Sequence, residues 1–385
     1  MRVLLFGNHE TGDGWPRLAV LRSGLQARGV EVEEVRVPFL PSSEARRKAA
    51  SSPLAFLAAG ARAAAAAARL RSAYRAAPDH DAVLVGYPGA LAVRTARAAN
   101  RRTRRPVVLD AFLSLWDTAV NDRGLAGPRS LRARALKRLD RSSCASADLV
   151  LVDTEENARF FAAELGVDPQ RLLAVPVGAL PFRGPAAPPR PPGAPLEVLF
   201  FGTFVPLQGA GTIVEAAGIL RGSGVRVTMV GAGQDLPAAR ERARALRLGP
   251  PEFEAVEAFV PRADLDRRIA AADACLGIFG TTHKAARVVP CKVHDALAAG
   301  KPLVTADTPA SRSLLRDGES ALLVPAGDPR ALAGAILRLR DDPALRARLA
   351  AGASRLWGER LRPDRVVEGL VQALEARCSP RPRTA

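Results

Sequence analysis

The stretch LPFRGPAAPPRPPGAP, residues 180–195, separates two halves of the chain that carry the same pattern. Seven of its sixteen residues are proline. Proline lacks an amide N–H and fixes its own φ angle, so a segment this rich in proline cannot lie inside a helix or a sheet. We predict that residues 180–195 form a stiff, extended linker, which marks the boundary between two domains.

Short apolar runs alternate with helical segments on both sides of this linker. The runs are RVLLFG, VEVEEVRV, DAVLVGYPG, RPVVLDAF and ADLVLVD before it, and LEVLFFG, VRVTMVG, DACLGIFG, KPLVTA and SALLVP after it. Such runs between helices are typical of βαβ units, which build parallel sheets. The sequence therefore predicts an α/β protein with two doubly wound domains, over residues 1–179 and 196–360. Ligands bind such sheets at the carboxyl ends of the strands, so we expect a site in a cleft between the domains.

The net charge narrows the classes of partner. The 385-residue chain carries a formal net charge of +17. An excess this large favours anionic partners, such as a nucleotide, a phosphorylated lipid or an anionic membrane surface. Aromatic residues make up only 5% of the chain and are not interleaved with basic residues, so we expect no nucleic-acid partner.

Cysteine spacing and hydropathy give further expectations. The four cysteines are far apart and show no CxxC or Cys/His metal spacing, so we expect reduced thiols and no metal site. No apolar run reaches the roughly 18 residues that span a bilayer, and the N-terminal apolar run is too short for a secretion signal. We therefore expect a cytoplasmic protein.

The stretch KAARVVPCKVHDALAAGKP, residues 284–302, surrounds the start of a predicted helix with positive charge. Lys284, Arg287 and Lys292 lie where the helix N-terminus already carries partial positive charge, which local stability disfavours. A bound anion would explain the arrangement, because helix N–H groups and two lysines then converge on one pocket. Asp295, one turn further into the helix, would accept hydrogen bonds from a ribose diol.

A nucleoside diphosphate supplies both the anion and the diol. The alternative is a solvated charged surface on which Lys292 and Asp295, three residues apart, form an ordinary salt bridge. The sequence alone leaves this alternative open.

Two glycine-bearing turns follow strands of the second domain. Gly202 opens the loop after LEVLFF, and Gly231 and Gly233 follow the strand VRVTMV. A dinucleotide fingerprint needs a third glycine near position 236, where Leu236 stands. We therefore predict turns that let a ligand approach the backbone, and no NAD or FAD site.

Three stretches of the second half carry a resemblance to a known family. They are VEAFVPRADLDRRIAAADACLGIFG, VVPCKVHDALAAGKPLVTAD and LLRDGESALLVPAGDPRALAGAILRL, in this order. Together they resemble the C-terminal nucleotide-sugar domain of GT-B glycosyltransferases, and most closely the retaining group 1 enzymes of family 4. The resemblance covers residues 196–357, while the first half matches only in its general α/β pattern.

The resemblance implies a fold and an activity. The fold is GT-B, with two Rossmann-like domains that face a central cleft, the acceptor side over residues 1–179 and the nucleotide-sugar side over 196–360. A C-terminal helix and tail, residues 361–385, would pack back on the first domain. The activity is sugar transfer from a nucleotide-diphosphate donor of UDP or GDP type to a glycan or lipid-linked acceptor, with retention, as in polysaccharide biosynthesis. The nucleotide sugar is a substrate, and no cofactor is implied.

The family's donor-binding pattern maps onto this chain with departures. Its ribose-binding carboxylate falls at Asp295, and an upstream acidic partner falls at Arg287. The Arg and Lys of its phosphate loop fall at Thr203 and Gln208, both uncharged. The predicted donor-binding residues are Gly202, Thr203, Gln208, Gly231, Gly233, Val260, Arg287 and Asp295.

Lys284, Arg287 and Lys292 are interpreted as a relocated clamp for the diphosphate. Lys284 and Lys292 are predicted to stabilise the leaving diphosphate, with no divalent metal needed if they do so. The segment DAFLSLWDTAVNDR lacks a histidine that touches the transferred sugar in the family, and Asp110 is the predicted substitute. The predicted catalytic groups are Lys284, Lys292 and Asp110. A capping or loop-ordering role for Asp110, Asp117 and Asp122 stays open.

The loop over residues 7–14 is predicted to face the acceptor or the donor phosphates with Asn8, His9 and Glu10. Two alternatives to a transferase stay open. One is a catalytically silent GT-B module that binds a nucleotide or glycan, which the uncharged Thr203 and Gln208 favour. The other is a GT-B epimerase of sugar nucleotides, which would change the donor without an acceptor.

The segment SLRARALKRLDR, residues 130–141, predicts a basic amphipathic helix. Leu131, Ala135 and Leu139 are four apart on one stripe, which we expect to pack on the first domain. The basic residues lie mostly off this stripe and are either solvated or rest on anionic lipid. In the second case the protein would be peripheral at the inner face of the membrane.

Overall fold

The computed structural model of the chain describes residues 1–9, 16–37, 53–186, 191 and 193–378. Its contacts divide the chain into two compact units. Unit 1 contains Met1–Trp116, Arg129–Val175 and Val366–Ala385, and unit 2 contains Asp117–Pro128 and Pro176–Arg365. The sequence predicts a first domain over residues 1–179, which includes residues 117–128, whereas the contacts group residues 117–128 with unit 2.

Unit 1 is built on a six-stranded parallel sheet with the order β2-β1-β3-β4-β5-β6. Its strands are β1 Arg2–Gly7, β2 Glu31–Arg36, β3 Ala82–Val85, β4 Val107–Phe112, β5 Leu149–Val152 and β6 Leu172–Ala174. Its central strands are continuous apolar runs because helices cover both faces of the sheet. The helices around it are α1 Pro16–Ala27, α2 Pro53–Ala76, α3 Ala92–Ala99, α4 Leu115–Asp117, α5 Leu131–Ala145 and α6 Glu155–Leu165.

The two faces of this sheet bury separate clusters. Leu4 and Phe6 of β1 point into one cluster, while Val3 and Leu5 point into the other, as the alternation of side chains along a strand requires. The C-terminal helix Glu368–Cys378 packs on the second of these faces through buried leucines.

Unit 2 contains a second six-stranded parallel sheet with the order β12-β11-β10-β7-β8-β9. Its strands are β7 Leu196–Phe201, β8 Val225–Val230, β9 Phe253–Val256, β10 Ala274–Leu276, β11 Leu303–Ala306 and β12 Leu322–Val324. Its helices are α7 Ala210–Ile219, α8 Leu236–Ala245, α9 Arg262–Ala271, α10 Cys291–Ala298, α11 Pro309–Leu314, α12 Pro329–Asp341, α13 Pro343–Leu356 and α14 Pro363–Val366. The last helix, α15 Glu368–Cys378, belongs to unit 1. The prediction of two doubly wound parallel sheets is therefore confirmed.

The predicted packing of the basic helix is wrong. In α5 the side chain of Leu131 is 80% exposed and Ala135 is exposed, while Asp140 and Cys144 are buried. Asp140 accepts hydrogen bonds from the Ser114 hydroxyl at 2.6 Å and from a backbone N–H. These buried polar contacts, which a periodicity argument cannot foresee, turn the small and polar face of the helix inward and the leucine outward.

No helix in the described ranges is both long and apolar enough to cross a bilayer.

Candidate functional site

The predicted anion site lies at a switch point of the unit 2 sheet. From β7 the chain proceeds to β8 on one side, and it later returns to β10 on the other side. Ligands of open parallel sheets bind where the strand order reverses in this way. The loop after β7 and the N-terminus of α10 meet here, because a Cβ placed on Gly202 would lie 3.1 Å from the Nζ atom of Lys292.

Lys292 is buried, with 5% of its surface exposed. Its ammonium donates a hydrogen bond to the Gln208 Oε1 atom and lies 3.5 Å from the centroid of the Phe200 ring. Both neighbours are uncharged, and among the residues that the structure describes no carboxylate pairs with Lys292. Burial therefore lowers the pKa of Lys292 well below its ordinary value.

Asp295 pairs with Arg262 and not with Lys292, so the simple surface salt bridge considered above is wrong. Its Oδ1 atom accepts a hydrogen bond from Arg262 at 2.9 Å, and Arg262 Nε donates to Asp266 at 2.8 Å. Burial raises the pKa of Asp295, while the Arg262 charge opposes the rise. Sequence reasoning missed Arg262, although its position at the first residue of α9 is an ordinary place for a charged side chain.

Lys284 and Arg287 contact the segment that unit 2 takes from the first half of the sequence. Lys284 Nζ donates to the Thr118 hydroxyl at 2.6 Å. Arg287 Nη2 donates to both carboxylate oxygens of Asp117, at 2.9 and 3.0 Å, and its Nε donates to the His283 carbonyl. Asp117 thus balances the charge of Arg287. The prediction of Arg287 as a donor-binding residue did not include this partner.

The glycine turns after β7 and β8 pack against each other. A Cβ on Gly231 would collide with the carbonyl oxygen of Gly202, and a Cβ on Gly233 would collide with the backbone of Phe204. Gly231 also has a φ of +148°, which other residues rarely adopt. Close backbone packing accounts for these glycines, whether or not a ligand also approaches them.

The other residues predicted to bind the donor lie near these turns. Thr203 is exposed at the end of β7, and Gln208 is buried and holds Lys292. Val260 is half-buried and packs against the apolar cluster beneath α10. The backbone N–H of Leu207, in the same loop as Gln208, donates to Asp122 at 3.2 Å.

Asp110, the predicted catalytic carboxylate of unit 1, is 1% exposed and paired with Arg17. Arg17 Nε lies 2.9 and 3.1 Å from the two carboxylate oxygens, and its Nη1 donates to the Val175 carbonyl at 2.8 Å. Burial raises the pKa of Asp110, and Arg17 opposes the rise. The prediction is corrected, because this carboxylate is held in a buried ion pair with Arg17, which accounts for its presence without a substrate.

Asn8 and His9 follow β1, and His9 is fully buried. The His9 Nε2 atom is 2.9 Å from the Glu34 carboxylate, so Nε2 is assigned the hydrogen and Nδ1 is left as an acceptor. In the part of the chain that the structure covers, neither His9 Nδ1 nor the buried Asn8 Oδ1 has a hydrogen-bond partner. Glu10, also predicted at this loop, lies outside the described residues.

No group of three or more His, Cys, Asp or Glu side chains with a geometry suited to a metal ion occurs among the residues described. The prediction that the site works without a metal stays a prediction.

Two family models match the chain. One, described as a glycosyl transferase 4-like domain, matches residues 3–178. The other, described as glycosyl transferases group 1, matches residues 195–342. Together they account for most of the sequence.

A curated relative is the D-inositol 3-phosphate glycosyltransferase of Acidothermus cellulolyticus, 33% identical over 241 residues. The match covers 59% of this chain and 53% of that protein. The chain spans about half the length of the curated relatives that it matches over more than 200 residues.

Solved structures match over nearly the whole chain. HepE of Anabaena, in complex with UDP-glucose, has a TM-score of 0.67 and 16% identity, and the match covers 98% of this chain and all of that one. Sucrose-phosphate synthase of Thermosynechococcus elongatus has a TM-score of 0.69 and 17% identity, with 97% and 98% covered. At these identities the likeness establishes the fold, which is GT-B.

Proposed function

Because the chain belongs to the group 1 glycosyltransferases, we propose that it transfers a sugar from a nucleoside-diphosphate donor to a hydroxyl group of an acceptor. The environment of Lys292 is the observation that carries this proposal. A buried cation is costly unless a counter-charge is supplied, and among the described residues no carboxylate supplies one. A diphosphate bound at this helix N-terminus would supply it.

The same charge would serve catalysis. When the sugar leaves, negative charge builds up on the diphosphate. Lys292, Lys284 and the N–H groups at the start of α10 are held in place before the reaction, so they would stabilise that charge without reorganisation. Retention of the anomeric configuration is part of the proposal and rests on the family alone.

The donor is proposed to be a UDP or GDP sugar. The structural neighbour HepE was solved in complex with UDP-glucose, which favours UDP among the two. Asp295 remains the proposed ribose contact. The sequence-based prediction did not include its ion pair with Arg262. Arg262 already holds one of its carboxylate oxygens, so Arg262 would set the direction in which Asp295 faces the ribose.

The acceptor is proposed to be a polyhydroxyl compound, as a glycan or a lipid-linked sugar. Asn8 Oδ1 and His9 Nδ1 are two buried acceptors without hydrogen-bond donors in the described part of the chain. The hydroxyl groups of a polyol would donate hydrogen bonds to these two acceptor atoms. The Acidothermus relative is named for an inositol phosphate, itself a polyol.

Peripheral attachment to anionic lipid is also proposed. Helix α5 turns Leu131 outward, and Arg134, Arg138 and Arg141 are exposed on the same helix. Each basic residue near an anionic surface contributes on the order of 1 kcal/mol, and Leu131 would add apolar contact. Sedimentation with anionic and neutral vesicles at low and high salt tests this, and equal recovery in the supernatant under all conditions would overturn it.

The experiment for the main proposal compares wild type with Lys292→Met. A panel of UDP and GDP sugars is screened for binding by thermal shift and for turnover with polyol and glycan acceptors. We expect Lys292→Met to lose on the order of 2–4 kcal/mol of transition-state stabilisation. The matched control is Lys301→Met, whose ammonium is held by the carbonyls of Ala270 and Ala272, and it should keep donor binding.

The outcomes separate the alternatives. Turnover at the wild-type rate in Lys292→Met would overturn the anion site. Binding of a nucleotide sugar without any turnover would favour a silent module, and conversion of the donor without an acceptor would favour an epimerase.

A further inference from the structure

The segment Thr118–Asp122 forms a short π-helical turn that follows α4 and contacts three parts of unit 2. The sequence alone left open what the aspartates around this turn do, and the proposed function does not use them. The contacts are made by Asp117, Thr118 and Asp122 to Arg287, Lys284 and the backbone of Leu207.

The two aspartates fix the ends of this segment. Asp117 is buried and accepts two hydrogen bonds from Arg287, a geometry that sets both distance and orientation. Asp122 is also buried and accepts a hydrogen bond from the Leu207 N–H. The residue after Leu207 is Gln208, which accepts a hydrogen bond from Lys292. The segment is therefore attached on both sides of Thr118.

Thr118 lies between these two anchors and accepts a hydrogen bond from the Lys284 ammonium. A hydroxyl is a neutral acceptor, so it orients an ammonium without cancelling its charge. Lys284 itself is only 3% exposed, so its direction depends on the groups around it. Asp122 lies close enough for the Lys284 charge to oppose the burial-driven rise in the pKa of Asp122.

We propose that Thr118 is a positioning residue of the donor site, whose hydroxyl orients the Lys284 ammonium toward the donor diphosphate. Asp117 and Asp122 act through Thr118 by holding the segment in place. This inference rests on the proposed function, because it assumes that a diphosphate binds beside Lys284 and Lys292.

The test uses the full chain and three probes, inorganic pyrophosphate, UDP and GDP, with dissociation constants from calorimetry. Thr118→Val keeps the shape of the side chain and removes the acceptor, so binding of the preferred probe should weaken about tenfold, as for loss of one hydrogen bond to a charged group. Thr118→Ser restores the hydroxyl and should bind within about twofold of wild type. A purely structural role would lower the unfolding temperature of Thr118→Val together with its affinity, whereas a positioning role weakens binding at an unchanged unfolding temperature.

Two further variants keep the test decisive. Thr118→Ala removes the hydroxyl without adding a methyl group at the Oγ1 position, and it should show the same loss if Thr118→Val does not fold. Thr228→Val makes the same hydroxyl-to-methyl change on β8 and should leave binding unchanged.

Wild-type affinity in Thr118→Val and Thr118→Ala would overturn the inference. Tighter binding in both would overturn it too, since the segment would then compete with the anion for Lys284. If wild type binds none of the three probes, the proposed function fails, and the inference fails with it. If wild type binds and Lys292→Met does not, the proposed function stands and the Thr118 variants decide the inference separately.

Discussion

Two buried positive charges lie near the carboxyl ends of the two sheets, and their surroundings differ. Arg17 in unit 1 makes a double contact with Asp110 and also donates to a backbone carbonyl. Lys292 in unit 2 contacts an amide oxygen and an aromatic ring, with no carboxylate partner in the described part of the chain. The charge of Arg17 is thus balanced by its own chain, whereas for Lys292 we propose that a bound anion supplies the counter-charge. Burial alone does not distinguish a structural ion pair from a binding group, but the counter-charge does.

The largest expected effect comes from breaking the unit 1 pair. Arg17→Met leaves the Asp110 carboxylate buried without its partner, so the free energy of unfolding should fall by about 3–5 kcal/mol. Urea unfolding followed by circular dichroism measures the change. The double variant Arg17→Met/Asp110→Leu removes both charges and should recover most of the loss. A single variant as stable as wild type would show that the pair is not the structural element described above.

The Arg262–Asp295 pair in unit 2 should show an intermediate effect. Asp295→Ala leaves Arg262 with Asp266 as its remaining acid, so we expect a loss of about 1–3 kcal/mol in stability, together with weaker nucleotide binding. Asp295→Asn keeps an acceptor for Arg262 and should be milder in both respects. Unchanged UDP and GDP affinity in Asp295→Ala would contradict the assignment of Asp295 to the ribose. It would not affect the structural role described for the Arg262–Asp295 pair.

The smallest loss of stability, or a gain, is expected at Lys292. Lys292→Met removes a buried charge that lacks a carboxylate partner among the described residues, so the variant should be at least as stable as wild type. The lowered pKa also determines the direction in which wild-type stability changes with pH. Burial places the pKa of Lys292 in the folded protein below its ordinary value of 10.5. Between these two values the unfolded chain holds the additional proton, so wild-type stability should rise with pH across that interval.

Urea unfolding of both proteins over this pH interval checks the prediction. The variant should lack the contribution of Lys292 to the rise, so the stability difference between the two proteins should shrink as the pH increases. A variant that is several kcal/mol less stable than wild type at neutral pH would mean that Lys292 is a structural residue.

The sheets could be predicted from sequence because each buried strand carries its signal locally. Runs such as LEVLFF and VRVTMV are apolar along their length, since a parallel sheet is covered on both faces. The cations around α10 could also be predicted, because Lys284, Arg287 and Lys292 are close in sequence to the helix start.

The partners of these charges could not be predicted. Asp110 and Arg17 are 93 positions apart, and Asp117 and Arg287 are 170 positions apart. No local pattern encodes such pairs, because tertiary packing alone brings them together. For the same reason, the sequence alone wrongly indicated a catalytic role for Asp110. It gave no indication of a role for Thr118. In α5 the local pattern was misleading, since buried hydrogen bonds of Asp140 decided which face turned inward.

The central claim is that a diphosphate supplies the counter-charge of Lys292, and proton uptake on binding tests it most directly. Calorimetric titration of wild type and Lys292→Met with pyrophosphate and UDP, at a series of pH values from neutral up to the ordinary lysine pKa of 10.5 and in buffers with different ionisation enthalpies, counts the protons taken up. A bound anion favours the ammonium form, so binding should raise the Lys292 pKa and draw a proton from the buffer. We predict uptake in wild type and weak binding without this uptake in the variant. Equal affinity and equal proton uptake in both proteins would contradict the claim.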